Sequence, residues 1–207
     1  MRIFAVVWFA VSLACLAFLL TSNSWLAALL YGYSLYALIS IGHNYSHRNS
    51  QWGRVMDLTA YPRHLWQVSH CLSHHSYANL DLYLEVITFE PFLYFLTSQP
   101  KNPKAVLFYQ FVFFSTTPLL LFITQIVDVV IGREHFRIEQ LLLPAQFGLA
   151  YYLHGGSGLL LMAVAHILNG ILFMQFSFPT HRTLGVWTEG DPNPTRDFAI
   201  HTLRVVA

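Results

Sequence analysis

The sequence predicts an all-α integral membrane protein with about four transmembrane helices and a histidine-rich helical cap facing the cytosol. Of its 207 residues, 55% are hydrophobic and 10% are charged, whereas soluble domains carry roughly a quarter charged residues. The apolar residues form long runs, and several of the 11 histidines lie between two of those runs. Histidine is costly in lipid unless it faces a cavity, a partner or a metal, so the histidine positions guide the functional argument.

The first two apolar runs predict a pair of transmembrane helices joined by a tight turn. Residues 3–20 and 25–41 are separated only by the polar stretch 21–24, and each run is long enough to cross a bilayer. The first run could instead be a cleaved signal peptide, but it is longer than a typical signal core. We therefore expect a retained helix.

The remaining segments alternate between polar and apolar character. Residues 42–79 are polar and rich in histidine, and residues 89–96 are too few to span a membrane. Residues 105–131 are long enough for a third crossing, which the charged stretch 133–139 ends. We interpret residues 141–153 as a partial or interfacial helix and residues 159–178 as the fourth crossing.

Charge and cysteine content restrict the partners. Lys and Arg are frequent between residues 42 and 104 and absent from the turn at 21–24, which places the histidine-rich segment in the cytosol by the positive-inside rule. The net charge of +1 provides no basic footprint for nucleic acid. Cys15 and Cys71 are the only two cysteines, so neither a disulfide framework nor a cysteine-based zinc site is expected.

Two histidine motifs predict a metal site in the cap. The first, HNYSH, contains His43 and His47, and the second, HCLSHH, contains His70, His74 and His75. Residues four apart share one face of a helix, with Cβ atoms about 5–6 Å apart, so the imidazoles of each motif can converge on a metal. The alternative for the second motif is an interfacial helix whose histidines reach towards water. Both motifs follow hydrophobic segments, and together they favour metal ligation.

The two motifs resemble the HxxxH and HxxxHH boxes of the membrane fatty acid desaturases. The flanking WQVS before the second box and FEPF after it are similar as well, and the chain looks most like the cytochrome b5-related and front-end desaturase branch. The resemblance covers essentially the whole chain and implies one desaturase-like membrane domain over residues 1–207. It also implies a di-iron centre of two iron ions that oxidises lipid acyl chains with O2, by desaturation or hydroxylation.

By this resemblance, the first box would supply His43 and His47 as iron ligands, and the second would supply His70, His74 and His75. Desaturases carry a third box, HxxHH or QxxHH, after the last helix, and no such motif precedes Ala207. We therefore expect the domain to be C-terminally incomplete. His181, just past the last apolar run, resembles a histidine that adds a further metal contact in similar desaturases.

The resemblance further implies an endoplasmic reticulum location, electrons from cytochrome b5 and its reductase, and an acyl-lipid or acyl-CoA substrate drawn from the lipid bilayer. The missing third box leaves open whether the chain is an enzyme. A catalytically inactive desaturase-like membrane protein and a zinc-dependent membrane hydrolase remain alternatives. The other histidines have plainer interpretations: a solvated or outer position for His201, no ligand role for His64 after Pro62 or for His135 in the short charged loop, a turn at His154-Gly155-Gly156, and a hydrogen-bonded buried ring for His166.

Overall fold

The structure is a computed structural model that describes residues 2–74, 112, 115–116, 119–120 and 123–177, without the side chains of residues 73, 74, 174, 176 and 177. The described residues form helices and turns, with no strand among them. The elements, in chain order, are α1 (Arg2–Ser22), α2 (Trp25–Ser46), a 3-10 helix (Gln51–Leu58), α3 (Arg63–Trp66), a π-helix (Gln67–His74), a 3-10 turn (Ile138–Leu141) and α4 (Leu142–Ser177). The predicted all-α fold is confirmed.

Three helical segments in the described part of the chain are long and apolar enough to cross a membrane: Arg2–Ser22, Trp25–Ser46 and Ile138–Phe173. The outward side chains of α1 are large and apolar, with Ile3 78% exposed. An apolar surface of this extent is rare on soluble proteins, whereas lipid is its natural surrounding. The protein is an integral membrane protein.

α1 and α2 form the tight antiparallel pair that the polar stretch predicts. Asn23 turns the chain with φ 44°, a left-handed conformation that asparagine tolerates better than most residues. The Ser24 hydroxyl then caps α2 by accepting from the backbone N–H of Ala27 at 3.3 Å. Small buried residues such as Ala5 and Ala28 lie in the core between the two helices, which allows close helix contact within a membrane.

α4 is a helical hairpin rather than a straight rod. Gly155 has φ 61° and ψ −139°, a conformation that glycine adopts at little cost. Phe147 and His166 stack with ring centroids 5.6 Å apart, although a straight helix would separate them by about 28 Å. Residues 142–154 and 156–177 are therefore antiparallel, and we call them the first arm and the second arm. The turn predicted at His154-Gly155-Gly156 is confirmed.

The two ends of the bundle are distinct. At one end, which we call the turn end, the α1–α2 turn meets the α4 turn: His154 Nε2 donates to the Leu20 carbonyl at 2.6 Å, and Asn23 Nδ2 donates to Ser157 Oγ at 2.8 Å. At the other end, which we call the cap end, the histidine-rich segment rests on the bundle. α2 lies between α1 and α4 and connects the two ends.

The segment before α4 lies at the cap end. Glu134 Oε2 is 3.7 Å from His64 Nε2, whereas a third crossing ending at residues 133–139 would leave that stretch at the turn end. Residues 141–153, expected to form a partial or interfacial helix, make up most of the first arm, which packs along the second and is shorter than the roughly 20 residues that cross a bilayer. Of the four expected crossings, those at residues 3–20 and 25–41 correspond to α1 and α2, and the one at residues 159–178 falls in the second arm as far as Ser177. About half of residues 105–131 lies outside the described part, and residues 123–130 within it are helical.

The cap folds back onto α2 through a series of short elements. The Ser50 hydroxyl accepts from Trp52 N at 3.3 Å and begins the 3-10 helix, whose Met56 packs so tightly on Gly42 that a Cβ there would clash with it. Asp57 Oδ1 accepts from Arg63 N at 2.8 Å and holds the start of α3. Burial raises the pKa of Asp57 above its ordinary value, and this hydrogen bond opposes the shift.

Candidate metal centre

The first histidine motif extends from the cap end of α2. His43 lies in the last turn of α2 and His47 immediately follows it, and His47 N donates to the His43 carbonyl at 3.3 Å, which continues the helical geometry. The two imidazole centroids are consequently 4.6 Å apart. The predicted shared face of this motif is confirmed.

The second motif lies on a π-helix that continues directly from α3. The wider turn still carries His70 towards α2, where its ring is 5% exposed. π-helical turns are rare in proteins and are frequently found at functional sites. His74 is the last residue of the π-helix, and its side chain, like His75 and His181, lies outside the described part of the chain.

The two motifs meet at the cap end. His43, His47 and His70 bring one ring nitrogen each to within 4.8 Å of one another. The Nε2 atoms of His43 and His70 are 2.9 Å apart, and two nitrogens that bind one metal at about 2.0–2.1 Å are separated by a similar distance. The donor set also fits, because neutral imidazole is a ligand that iron and zinc both accept. These three rings form what we call the histidine cluster.

Aromatic and apolar side chains form the inner wall of the histidine cluster. The Trp66 ring stacks on His70 with centroids 4.5 Å apart and an interplanar angle of 21°, and its edge meets Phe173 of the second arm at 5.2 Å. Tyr61 and Met56 are buried in the same apolar group. The histidine cluster is thus open towards the cap surface at His47 and closed towards the bundle, where this wall excludes water.

Burial influences the protonation of His47 in the cluster. Although His47 is partly exposed, desolvation of the remaining ring lowers its pKa below the ordinary value of 6.5. Because the neutral ring is the form that binds a metal, this shift favours a ligating state at neutral pH.

The other described histidines have separate roles. His64 lies in α3 beside Glu134, and burial lowers its pKa, an effect to which nearby Arg137 adds. His166 is fully buried and donates from Nε2 to Gln146 Oε1 at 3.3 Å, which confirms the hydrogen-bonded interpretation. His154 belongs to the turn end. Within the described residues, none of these three joins the histidine cluster.

Sequence reasoning missed two residues beside the cluster. The sequence marks Trp66 only as part of the flanking WQVS, although its ring covers one face of His70. Asn49 had no sequence signal at all. Its Oδ1 accepts from Arg63 Nη2 at 2.8 Å and from Gln67 Nε2 at 3.0 Å, so it connects the two segments that carry the histidines.

Comparisons with known proteins agree with this arrangement. The fatty acid desaturase family matches residues 20–206 of the chain. The chain is also 30% identical over 185 residues to a Drosophila melanogaster protein named cytochrome b5-related protein. The aligned region covers 83% of this chain and 42% of that relative. The chain therefore spans about two-fifths of the relative's length.

No solved structure is significantly similar to the chain. The family match nevertheless includes both histidine motifs and nearly all of the helical bundle, and the similarity to a cytochrome b5-related protein agrees with the branch that the motifs indicate. The chain belongs to the fatty acid desaturase family.

Proposed function

We propose that the protein is a di-iron oxidoreductase that uses O2 to desaturate or hydroxylate lipid acyl chains. One observation carries the proposal: two separate histidine motifs converge so that three imidazole nitrogens lie within 4.8 Å of one another. His70 is buried against His43 at the end of a membrane helix, where imidazoles need partners, and a shared metal would satisfy both rings. Family membership supports a fatty acid-modifying role.

His43, His47 and His70 would hold iron, and His74, His75 and His181 are proposed as further ligands. Bound iron would supply O2 activation and hydrogen removal from an acyl CH2 group. Trp66 holds the His70 ring in orientation by stacking on it. The apolar group of Tyr61, Met56 and Phe173 keeps water from the inner side of the cluster and offers a surface that an alkyl chain can contact.

We further propose that the cap faces the cytosol from the endoplasmic reticulum membrane and receives electrons from cytochrome b5 and its reductase. The partly exposed His47 lies at the cap surface, where an electron donor from the aqueous side could approach the cluster. An acyl-lipid or acyl-CoA would enter from the bilayer side. The name of the Drosophila relative supports the link to cytochrome b5.

Metal content and lipid products test this proposal together. The protein is expressed from its complete reading frame and purified, its iron and zinc are measured, and lipids from cells with and without it are compared by gas chromatography. We expect about two irons per protein and a new unsaturated or hydroxylated acyl chain. His70→Ala should remove most of the iron and all of the product, because the remaining rings no longer enclose the metal.

His64→Ala is the matched control, because His64 also lies in the cap but pairs with Glu134 outside the cluster. It should retain iron and product. The described cluster also has the three-imidazole set of many catalytic zinc sites, so zinc in place of iron would favour a membrane hydrolase. Unchanged iron and product in His70→Ala would refute the role of the cluster.

A further inference from the structure

Asn49 occupies the junction between the two histidine motifs. It lies two residues after His47, and its Oδ1 accepts hydrogen bonds from Arg63 Nη2 at 2.8 Å and from Gln67 Nε2 at 3.0 Å. Arg63 begins α3 and Gln67 begins the π-helix that carries His70. The amide oxygen of Asn49 therefore connects the end of the first motif to α3 and to the π-helix that carries the second motif.

The backbone of Asn49 is suited to this position. Its φ of 49° lies in the left-handed region, where asparagine is several-fold more common than other non-glycine residues. Asn49 N also donates to the Ser46 carbonyl at 3.0 Å, which closes the last turn of α2. The side chain is thus aimed by a turn that continues the helix bearing His43.

Arg63 is held so that it meets Asn49 in one orientation. Its backbone N–H donates to Asp57 Oδ1 at 2.8 Å, and its side chain crosses Gly53, where a Cβ would lie only 3.0 Å from Arg63 Cδ. The guanidinium bond to Asn49 is charge-assisted, which makes it stronger than a bond between neutral groups. Gln67 adds a second bond to the same oxygen.

We propose that Asn49 is a positioning residue for the metal centre: its bonds to Arg63 and Gln67 hold the π-helix against the end of α2 so that His70 meets His43 and His47. This inference rests on the proposed function, since it assumes that the cluster binds a metal. Asn49 itself does not ligate. Its loss would leave every imidazole present but allow their separation to vary, which weakens binding without removing a ligand.

The test measures the affinity of metal-free protein in lipid nanodiscs for Co²⁺. Binding is monitored through the visible ligand-field absorption bands of the ion. Asn49→Gly keeps the left-handed backbone and removes the acceptor, and Gln67→Met removes one donor while preserving length. We expect each to bind Co²⁺ about tenfold more weakly, at the lower end of the loss typical of outer partners of metal ligands. The bands should shift because the ligand geometry changes.

Asn49→Asp retains an acceptor oxygen for both donors and should stay within about twofold of wild type. The double variant Asn49→Gly with Gln67→Met should be no weaker than Asn49→Gly alone, because both changes break one connection. Asn44→Ala is the matched control: Asn44 is an exposed neighbour of His43 whose amide donates only within α2, to the Ser40 carbonyl at 2.9 Å. Its affinity should equal that of wild type.

Two results would overturn the inference: wild-type affinity and bands in both Asn49→Gly and Gln67→Met, or losses that add fully in the double variant. Failure of Asn49→Asp to restore binding would also count against it. If Asn49→Gly does not fold, Gln67→Met still decides the question, because it leaves the turn unchanged. Absence of Co²⁺ binding in wild type would instead contradict the proposed metal centre. The visible spectrum of the wild-type protein with Co²⁺ therefore distinguishes failure of the metal centre from failure of the role of Asn49.

Discussion

The histidines of the cap lie in two kinds of environment. His43, His47 and His70 face one another across a few ångströms, whereas His64 faces charged groups of a different segment, Glu134 at 3.7 Å and, at longer range, Arg137 and Glu139. His64 is therefore suited to joining residues 128–141 to the cap rather than to ligation. Its protonation should affect stability but not metal binding.

The pH dependence of stability follows from the direction of that shift. Desolvation, aided by Arg137, lowers the pKa of His64 from 6.5 in the folded protein, so the unfolded chain binds the proton more readily. Stability due to His64 is thus complete above about pH 6.5 and is lost as the pH falls towards the folded pKa.

We expect the melting temperature in detergent to fall less between pH 7.5 and pH 5.5 in His64→Gln than in wild type. The comparison between variant and wild type isolates His64 from the other histidines. An equal or steeper fall in His64→Gln would contradict this account.

At the scale of helices, close backbone contact holds α2 against the second arm. A Cβ added to Gly32 would lie 2.6 Å from the carbonyl oxygen of Ala165. Because this oxygen belongs to the backbone, the clash could be relieved only by moving a helix. Gly148 in the first arm has nothing within 4 Å of the equivalent point. The same substitution therefore has opposite effects at the two sites.

We expect Gly32→Ala to destabilise the protein by about 1–3 kcal/mol through overpacking. Gly148→Ala should stabilise it by about 0.5–1 kcal/mol, because alanine favours a helix more than glycine does. Thermal unfolding in one detergent provides both values. Equal effects of the two changes would show that α2 and the second arm are not in the described contact.

A polar group inside the bundle links the arms to the cap. Gln146 Oε1 accepts from Tyr31 Oη at 2.6 Å and from His166 Nε2 at 3.3 Å, while Gln146 Nε2 donates to the Leu58 carbonyl at 2.9 Å. All these side chains are buried, where a lost partner costs about 1–3 kcal/mol. Gln146 is the side chain that reaches both the α2 core and the end of the 3-10 helix.

Gln146→Leu should therefore destabilise the protein by about 2 kcal/mol and expose residues 51–60 to limited proteolysis, because the Leu58 carbonyl loses its anchor. Tyr31→Phe removes only one of the bonds and should leave proteolysis of the cap unchanged. Protection of the cap in Gln146→Leu equal to that in wild type would rule out the link.

For the whole molecule, the reversal at Gly155 determines which segments share a face of the membrane. The two turns meet at the turn end, through His154 and Asn23, and the segment around Glu134 lies with the histidine cluster at the cap end. The second arm therefore runs beside α2 between the two ends, with Ala165 next to Gly32 and Phe173 next to Trp66. Charged residues from both sides of the undescribed stretch meet at the cap end, where Glu139 influences Asp57 and Glu134 and Arg137 lie near His64.

This arrangement predicts the labelling of single cysteines in sealed membrane vesicles, after Cys15 and Cys71 are replaced by alanine. Glu134→Cys and Arg48→Cys should react with a membrane-impermeant maleimide from the same side, and Ser157→Cys from the opposite side. Asn44, although part of the sequon Asn44-Tyr45-Ser46, should carry no glycan if the cap faces the cytosol. Labelling of Glu134→Cys from the Ser157 side would refute the hairpin.

Much of the site was readable in the sequence because a helix repeats locally. The spacing of His43 and His47 dictates their shared face through a few consecutive backbone hydrogen bonds, and the apolar runs dictate α1 and α2 through the cost of polar groups in lipid. The same local logic identified the second motif and the turn at Gly155-Gly156. The membrane helices and the histidine spacing of the first motif are consequences of short-range pattern.

The tertiary structure alone decided how distant parts meet. Hydropathy could not show that the short first arm is a full partner of the second, because its place depends on Gln146 and Phe147 meeting His166 after a reversal. Nor could spacing show that Asn49 joins the two histidine motifs, since that contact depends on where Arg63 and Gln67 lie in space. Sequence determines which residues can ligate a metal and which segments can enter lipid. Contacts between residues far apart in the chain determine which of them come together.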